Sequence, residues 1–306
     1  VQKEPSREAD EMAKDFTQLV DDLAYAKTFY PSSKVTHFIN SQAAKIYLDI
    51  YKNRKEESNR LVTFWKYSLP LTIRRHHRVL LFMFIVFCIF FSVGFFSSAN
   101  DETFVREVLG DDYVSMTEKN ISDGNPFGVY QSGNAFLSWI WIMINNIIVS
   151  VKYFLKGILL GVISIKEMSK EAIRIGAFEQ FFFGRGYGLK SVLTVSIHGV
   201  LELTSIIIAS GAGVIMGTSY WFPGTIKRWD AFKKGTKDAV KIIVGLIPIF
   251  AVAAFFEGFV TRHAEMPQWL SGSILLLSTA FIIWYFVIYP IRLQRKLASS
   301  LNQPEE

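Results

Sequence analysis

Cysteine is nearly absent: Cys88 is the only one in 306 residues. No intrachain disulfide can form, and there is no basis for a thiolate metal site. Cys88 lies in an apolar run and reads as an apolar filler. Other absences narrow the chemistry. There is no His-Glu-x-x-His pattern, so neither a metal nor another cofactor is expected. Gly184-Arg185-Gly186-Tyr187-Gly188 lacks the flanking strand and helix of a phosphate loop. It reads as a tight outer loop. No Ser-His-Asp order, no acid–base carboxylate couple and no nucleic-acid module is present. The most telling absence is local. Val79–Ala99, Leu203–Ile226 and Met266–Ile291 contain no Asp, Glu, Lys or Arg.

Half of the residues are hydrophobic and the mean hydropathy is +0.26, which a soluble protein could also show. The distribution decides. At ~1.5 Å per residue, Val79–Ala99 covers the ~30 Å hydrocarbon core of a bilayer. A soluble helix meets water on one face and rarely needs such a run. The run follows a long polar segment, so it reads as a signal anchor and not a cleaved signal peptide. The expected class is all-α: a polytopic membrane protein with about six crossings.

Residues 1–59 read as a cytoplasmic helical segment. Met12, Phe16, Leu19 and Leu23 share one helical face. Tyr30-Pro31 ends that helix, and Ser32 or Ser33 can cap the next. Phe38, Ile39, Ile46, Tyr47 and Ile50 form a second apolar stripe. Residues 60–78 mix apolar side chains with Lys66, Arg74, Arg75 and Arg78. That is the profile of an interfacial amphipathic helix, kinked at Pro70.

The transmembrane domain is expected over 79–291, with a tail at 292–306. Its six segments are read near 79–99, 136–151, 153–182, 192–217, 242–260 and 269–290. Loop charge sets orientation. The loop 101–134 holds Asp101, Glu102, Glu107, Asp111, Asp112, Glu118 and Asp123 against Arg106 and Lys119, which places it outside. Lys227, Arg228, Lys233, Lys234, Lys237 and Lys241 lie inside, as do Arg292, Arg295 and Lys296. Both termini are then cytoplasmic, in a bacterial inner membrane, and the net charge of +6 reflects basic anchors facing anionic lipid. Asn145-Asn146 interrupts the second segment. Lys166, Glu167, Lys170, Glu171 and Arg174 crowd the third. The alternative is that both are re-entrant from outside, with four crossings in all.

Several short stretches, in this order and spacing, resemble a known family. They are Asp21-Asp22-Leu23-Ala24-Tyr25-Ala26, Phe29-Tyr30-Pro31, Phe64-Trp65-Lys66, Leu109-Gly110-Asp111 and Asn145-Asn146-Ile147. They continue with Gly176-Ala177-Phe178, His198-Gly199-Val200-Leu201-Glu202, Phe222-Pro223-Gly224, Pro248-Ile249 and Glu257-Gly258-Phe259-Val260-Thr261. The chain resembles the stage II sporulation protein M family, in its Bacteroidetes-type, non-sporulating form. The charged patch from Lys166 to Arg174 departs from the family pattern. The resemblance implies a non-enzymatic membrane scaffold in the cell envelope, recruiting other membrane or envelope proteins.

The residues themselves point to one polar cluster. Glu202 follows His198 by four positions, so both share a helix face. Glu257, Arg262 and His263 end the fifth segment at a similar depth. An ionisable residue at membrane depth is a functional candidate. The cluster either binds a substrate, ion or partner, or is an ion-pair network that fixes packing. Gly157 with Gly161, and Gly213 with Gly217, have the spacing that lets helices approach closely, within the chain or across a homodimer. The partners expected are lipids, other membrane proteins and a second copy, with no nucleic acid. The competing function is a permease-like subunit paired with a separate ATPase, and a membrane enzyme using His198 and Glu202 ranks third. A cavity converging on His198, Glu202 and Glu257 favours transport; a dry bundle favours a scaffold.

Overall fold

The computed structural model describes residues 5–52, 59–131, 134–261 and 266–301. Among them there is no strand. The chain divides into two units, 1–60 and 61–306.

The first unit is a helical hairpin of α1 (Pro5–Phe29) and α2 (Lys34–Lys52). Proline disfavours helical dihedrals in the residue before it, so α1 stops ahead of Tyr30-Pro31. Ser33 caps α2: its hydroxyl oxygen accepts from Val35 N at 3.1 Å. Thr36 Oγ1 donates to Tyr30 O at 2.6 Å and closes the turn. Ala26, Thr36 and Ala43 are buried, with Phe16, Leu19, Leu23, Ile39 and Ile46 half-buried. Phe38 and Tyr47, expected in the apolar stripe, are instead exposed. Helical periodicity puts Ile39, Ala43 and Ile46 on one face, and Phe38 falls off it. The side chains of Met12 and Ile50 lie outside the described residues.

The second unit opens with α3 (Arg60–Thr63), a π-helical turn at Phe64–Ser68 and α4 (Leu69–Arg75). Next come α5 (His77–Asn100), α6 (Glu102–Leu109), α7 (Asp111–Ser122), α8 (Ala135–Lys156) and α9 (Val162–Gly184). The long α10 (Gly188–Trp221) precedes α11 (Arg228–Phe255), which continues through a π turn at Phe256–Val260. Finally α12 (Gln268–Ile283) runs through a π turn at Trp284–Ile288 into α13 (Tyr289–Leu301).

Among the described residues, five stretches are long and apolar enough to cross a membrane: 77–100, 135–156, 188–221, 228–260 and 268–299. The chain is a multi-pass membrane protein. The sixth expected crossing is α9, which is 23 residues long but carries the charged patch. It runs alongside α5, with Gly94 against Ile173, Gly176 against Phe91 and Phe95, and the rings of Phe95 and Phe183 5.7 Å apart. Neither α8 nor α9 turns back midway. Trp139, near the start of α8, packs on Gly258 and donates its indole N–H to Ala251 O at 3.1 Å. The other end of α8 lies at Gly213, and α9 returns from there to Phe95. The break between them is at Gly157–Gly161 and not at Tyr153, with Leu160 (φ 56°) and Gly161 (φ 76°) in the left-handed region.

The segment expected at the membrane interface is half covered by protein. Leu69, Pro70, Thr72 and Ile73 are buried, and Leu69 fills the space at Gly245. Leu61 and Val62 face outward. Pro70 has no N–H to offer the preceding turn. The hydroxyls of Tyr285 and Tyr289 donate instead to Trp65 O (2.9 Å) and Lys66 O (2.8 Å). The helix therefore breaks at His76 (φ −105°, ψ 15°) and not at Pro70. Buried Asp238 on α11 ties that break down by accepting from Arg75 at 2.8 Å and His76 at 3.1 Å.

The acidic loop is a folded cap. Asp101 accepts from the N–H of Thr103 (2.9 Å) and of Phe104 (3.4 Å) at the start of α6. The Thr103 hydroxyl and amide hold its carboxyl below the usual carboxylate range. Val105, Val114 and Phe127 pack on Phe181 and Phe182 of α9. Arg185, stacked 3.7 Å over the Phe181 ring, ties the cap down through Glu118 at 2.5 Å and Glu102 at 3.5 Å.

The glycines of α10 and the α8–α9 turn meet backbone to backbone. A methyl group on Gly157 would overlap the Gly213 main chain, and one on Gly217 would overlap Gly157 O and Gly161 N. Gly157→Ala and Gly217→Ala should each destabilise the detergent-purified protein by ~1–3 kcal/mol through overpacking. Gly272→Ala, inside α12 with open space around it, should not lower the melting midpoint and should raise it slightly through helix propensity. Fluorescence-detected size-exclusion melts check both.

Candidate functional site

One turn of α10 carries the first two groups, His198 and Glu202, on the face turned to α9 and α11. The third comes from the π turn after α11. A π turn holds one more residue than an α turn, and such turns recur at functional sites. Here Thr261 N–H bonds Phe256 O, five residues back, at 2.8 Å. Glu257, inside this turn, is brought to Glu202. One ligand atom from each of His198, Glu202 and Glu257 lies within 4.8 Å of the others.

Thr261 orients the imidazole. Its hydroxyl lies 3.1 Å from Phe256 O and 3.0 Å from His198 Nδ1. A carbonyl can only accept, so the hydroxyl donates to Phe256 and accepts from His198 Nδ1–H. That places a proton on Nδ1 and leaves Nε2 as the ring nitrogen not turned to Thr261.

A cavity of about 340 Å³ adjoins the three groups. Glu171, Arg174, Phe178 and Glu179 of α9 form one wall, and Leu109 and Tyr113 of the cap cover its end. Burial pushes the Tyr113 phenol up to about 12, so it stays neutral. Glu171 pairs with Arg174 at 3.0 Å. Glu179 is buried and its Oε2 accepts no hydrogen bond among the described residues. Asn146 of α8 approaches Glu202. Among the described residues the cavity thus gathers four carboxyl groups against one cationic side chain, Arg174.

Of the expected cluster, His198, Glu202 and Glu257 come together; Arg262 and His263 lie outside the described residues. The four expected glycines sit elsewhere, in the contact between α10 and the α8–α9 turn. Sequence reasoning missed Glu179, Asn146 and Thr261 as site residues. Glu171, Ile175 and Glu179 are four apart on α9, a spacing that marks one face and could have linked the two acids. Thr261 ends one of the stretches that carry the resemblance, but its role depends on a contact across helices.

A family model described as stage II sporulation protein M matches residues 83–262, more than half of the chain. The chain belongs to the stage II sporulation protein M family. The match runs from α5 through the π turn after α11 and contains His198, Glu202 and Glu257. A second model, a domain of unknown function (DUF8413), matches residues 2–52, the N-terminal hairpin. Comparison with curated proteins and with solved structures returns no significant match.

Thr261→Val would strip the Nδ1–H of buried His198 of its acceptor. The expected loss is ~1–3 kcal/mol, the usual cost of orphaning a buried donor. Thr261→Ser should keep the wild-type melting midpoint.

Proposed function

We propose that this chain is the membrane subunit of a transport-type assembly, and that its intramembrane cavity holds a small cationic ligand. The observation that carries this is the four-carboxyl cavity around His198, Glu202 and Glu257. Carboxyl groups at membrane depth cost at least ~2.5 kcal/mol each unless protonated, paired or hydrated. Arg174 is the cation that the described lining sets among them, paired with Glu171. In this reading the chain is not itself a catalyst. No phosphate loop is present in this sequence, so the membrane subunit would draw energy from an ATPase module outside it.

A second support is the outer face of α9. Lys166 and Lys170 are four apart and exposed, one turn before Arg174 reaches the cavity. Cations on a lipid-facing stripe at this depth are costly, so a partner subunit or a second copy covers it. The scaffold reading keeps one specific support. The N-terminal hairpin exposes Tyr25, Phe29, Tyr30 and Phe38, a surface suited to docking a partner protein. Both roles can reside in one chain, and the cavity separates a transport subunit from a passive scaffold.

Ser196 lines the cavity, is half-buried, and differs from cysteine by one atom. In a Cys88→Ala background, Ser196→Cys should react with a small charged methanethiosulfonate from one side of sealed membrane vesicles. Glu202→Gln with Glu257→Gln should slow that labelling severalfold, because the acidic pocket concentrates a cationic reagent. A Ser196→Cys thiol inert from both sides, with a cap cysteine labelled normally, would overturn the transport reading.

A further inference from the structure

We propose that His198, Glu202 and Glu257 form a binding site for a divalent transition-metal ion. The inference deepens the cavity reading above and rests on it for access to the site.

The ligand set has the right composition. One imidazole and two carboxylates suit borderline cations such as Zn²⁺, Mn²⁺ and Co²⁺. Three protein ligands would leave further positions open to water or a transported counter-ligand, unlike a closed structural site. The charges also match. A neutral imidazole and two carboxylates sum to −2, which a divalent ion cancels.

The geometry is close to binding geometry. Ligand atoms ~2.0–2.2 Å from a tetrahedral ion lie ~3.4 Å apart. Here they are no more than 4.8 Å apart, and carboxylate end torsions are soft enough to close the difference. The imidazole is set for the task by its neighbour. Metal-bound histidines generally donate their other ring N–H to a fixed acceptor, which directs the lone pair of the remaining nitrogen. Thr261 Oγ1, itself held by Phe256 O, is that acceptor.

A second observation points to a hydrated ion. Glu179 is 8% exposed, with the Ser191 hydroxyl beside its carboxyl, and its Oε2 accepts no hydrogen bond among the described residues. It lines the same cavity as the three ligands. An orphaned buried carboxylate oxygen is costly, and water molecules on a bound cation would donate to it. The Asn146 side-chain amide, which approaches Glu202 from α8, would steady that ligand oxygen by donating to it.

The test uses the full chain, purified in detergent, stripped with a chelator and titrated with Co²⁺ and Zn²⁺. One ion should bind per chain by equilibrium dialysis with elemental analysis. Co²⁺ should develop visible d–d absorption of a nitrogen–oxygen site, and excess Zn²⁺ should displace it. Glu202→Gln, Glu257→Gln and His198→Gln should each weaken binding at least about tenfold, and Glu179→Gln less. The exposed-cap variant Glu107→Gln should bind as wild type. Size-exclusion profiles and helical circular dichroism confirm that each variant is folded. Sub-stoichiometric binding, or binding unchanged by Glu202→Gln and Glu257→Gln, would overturn the metal site. If the Ser196→Cys thiol still labels from one side in that case, the cavity reading survives without the metal site. A thiol inert from both sides would remove the cavity reading as well.

Discussion

Where the backbones of α10 and the α8–α9 turn touch, at Gly213, Gly217 and Gly157, no side chain fits between them, and the rest of the membrane bundle is positioned by that contact. In lipid there is no hydrophobic drive between helices, so close van der Waals approach has to hold them. The contact brings α8 in far enough for Asn146 to reach Glu202. The adjoining turn at Leu160 and Gly161 sends α9 back beside α10, with Ser164 Oγ donating to Tyr153 O. Glu171 and Glu179 on α9 thereby arrive opposite His198 and Glu202. Packing at one end of the helices thus sets the polar site further along them.

The charges of α9 illustrate the same economy. Glu167 lies 3.4 Å from Lys156 of α8 and 3.9 Å from Lys170, and Glu171 lies 3.0 Å from Arg174. These pairs answer much of the difficulty that the charged patch raises for a membrane helix. Pairing lowers the cost of charge at depth without abolishing it. The small residues of the opposite face, Ala172 and Gly176, are buried, and Gly176 sits directly on the backbone of α5. The helix therefore has a close-packed side and a charged side. That division explains why it fails a hydropathy criterion and still traverses the bundle.

The legible parts of this fold were those with a local cause. Charge-free runs marked the apolar helices, Tyr30-Pro31 marked the end of α1, and four-residue spacing paired His198 with Glu202. What was not legible depends on contacts between distant segments. The fold of the acidic loop into a cap rests on Phe127 against Phe182, rings 5.0 Å apart, and on Arg185 reaching Glu118. Pro70 reads as a kink in isolation, but tyrosines from another helix serve the carbonyls around it. The meeting of His198 and Glu202 with Glu257 was hidden for the same reason. A linear motif such as His-Glu-x-x-His places ligands on one helix, whereas here the third candidate ligand, Glu257, comes from a different one.

Glu257 also explains why the helix there is π and not α. A π turn leaves the backbone locally wider and is less stable than regular helix, so it persists where something compensates. Phe256 O accepts twice at this turn, from Thr261 N–H at 2.8 Å and from Thr261 Oγ1 at 3.1 Å. The same hydroxyl holds His198. One threonine therefore connects the irregular turn of one helix to the imidazole of another. The irregularity, the set of the imidazole and the position of the second carboxylate form a single arrangement. A bundle selected for packing alone would have no use for it, since regular α-helix with an apolar residue at position 257 would be more stable.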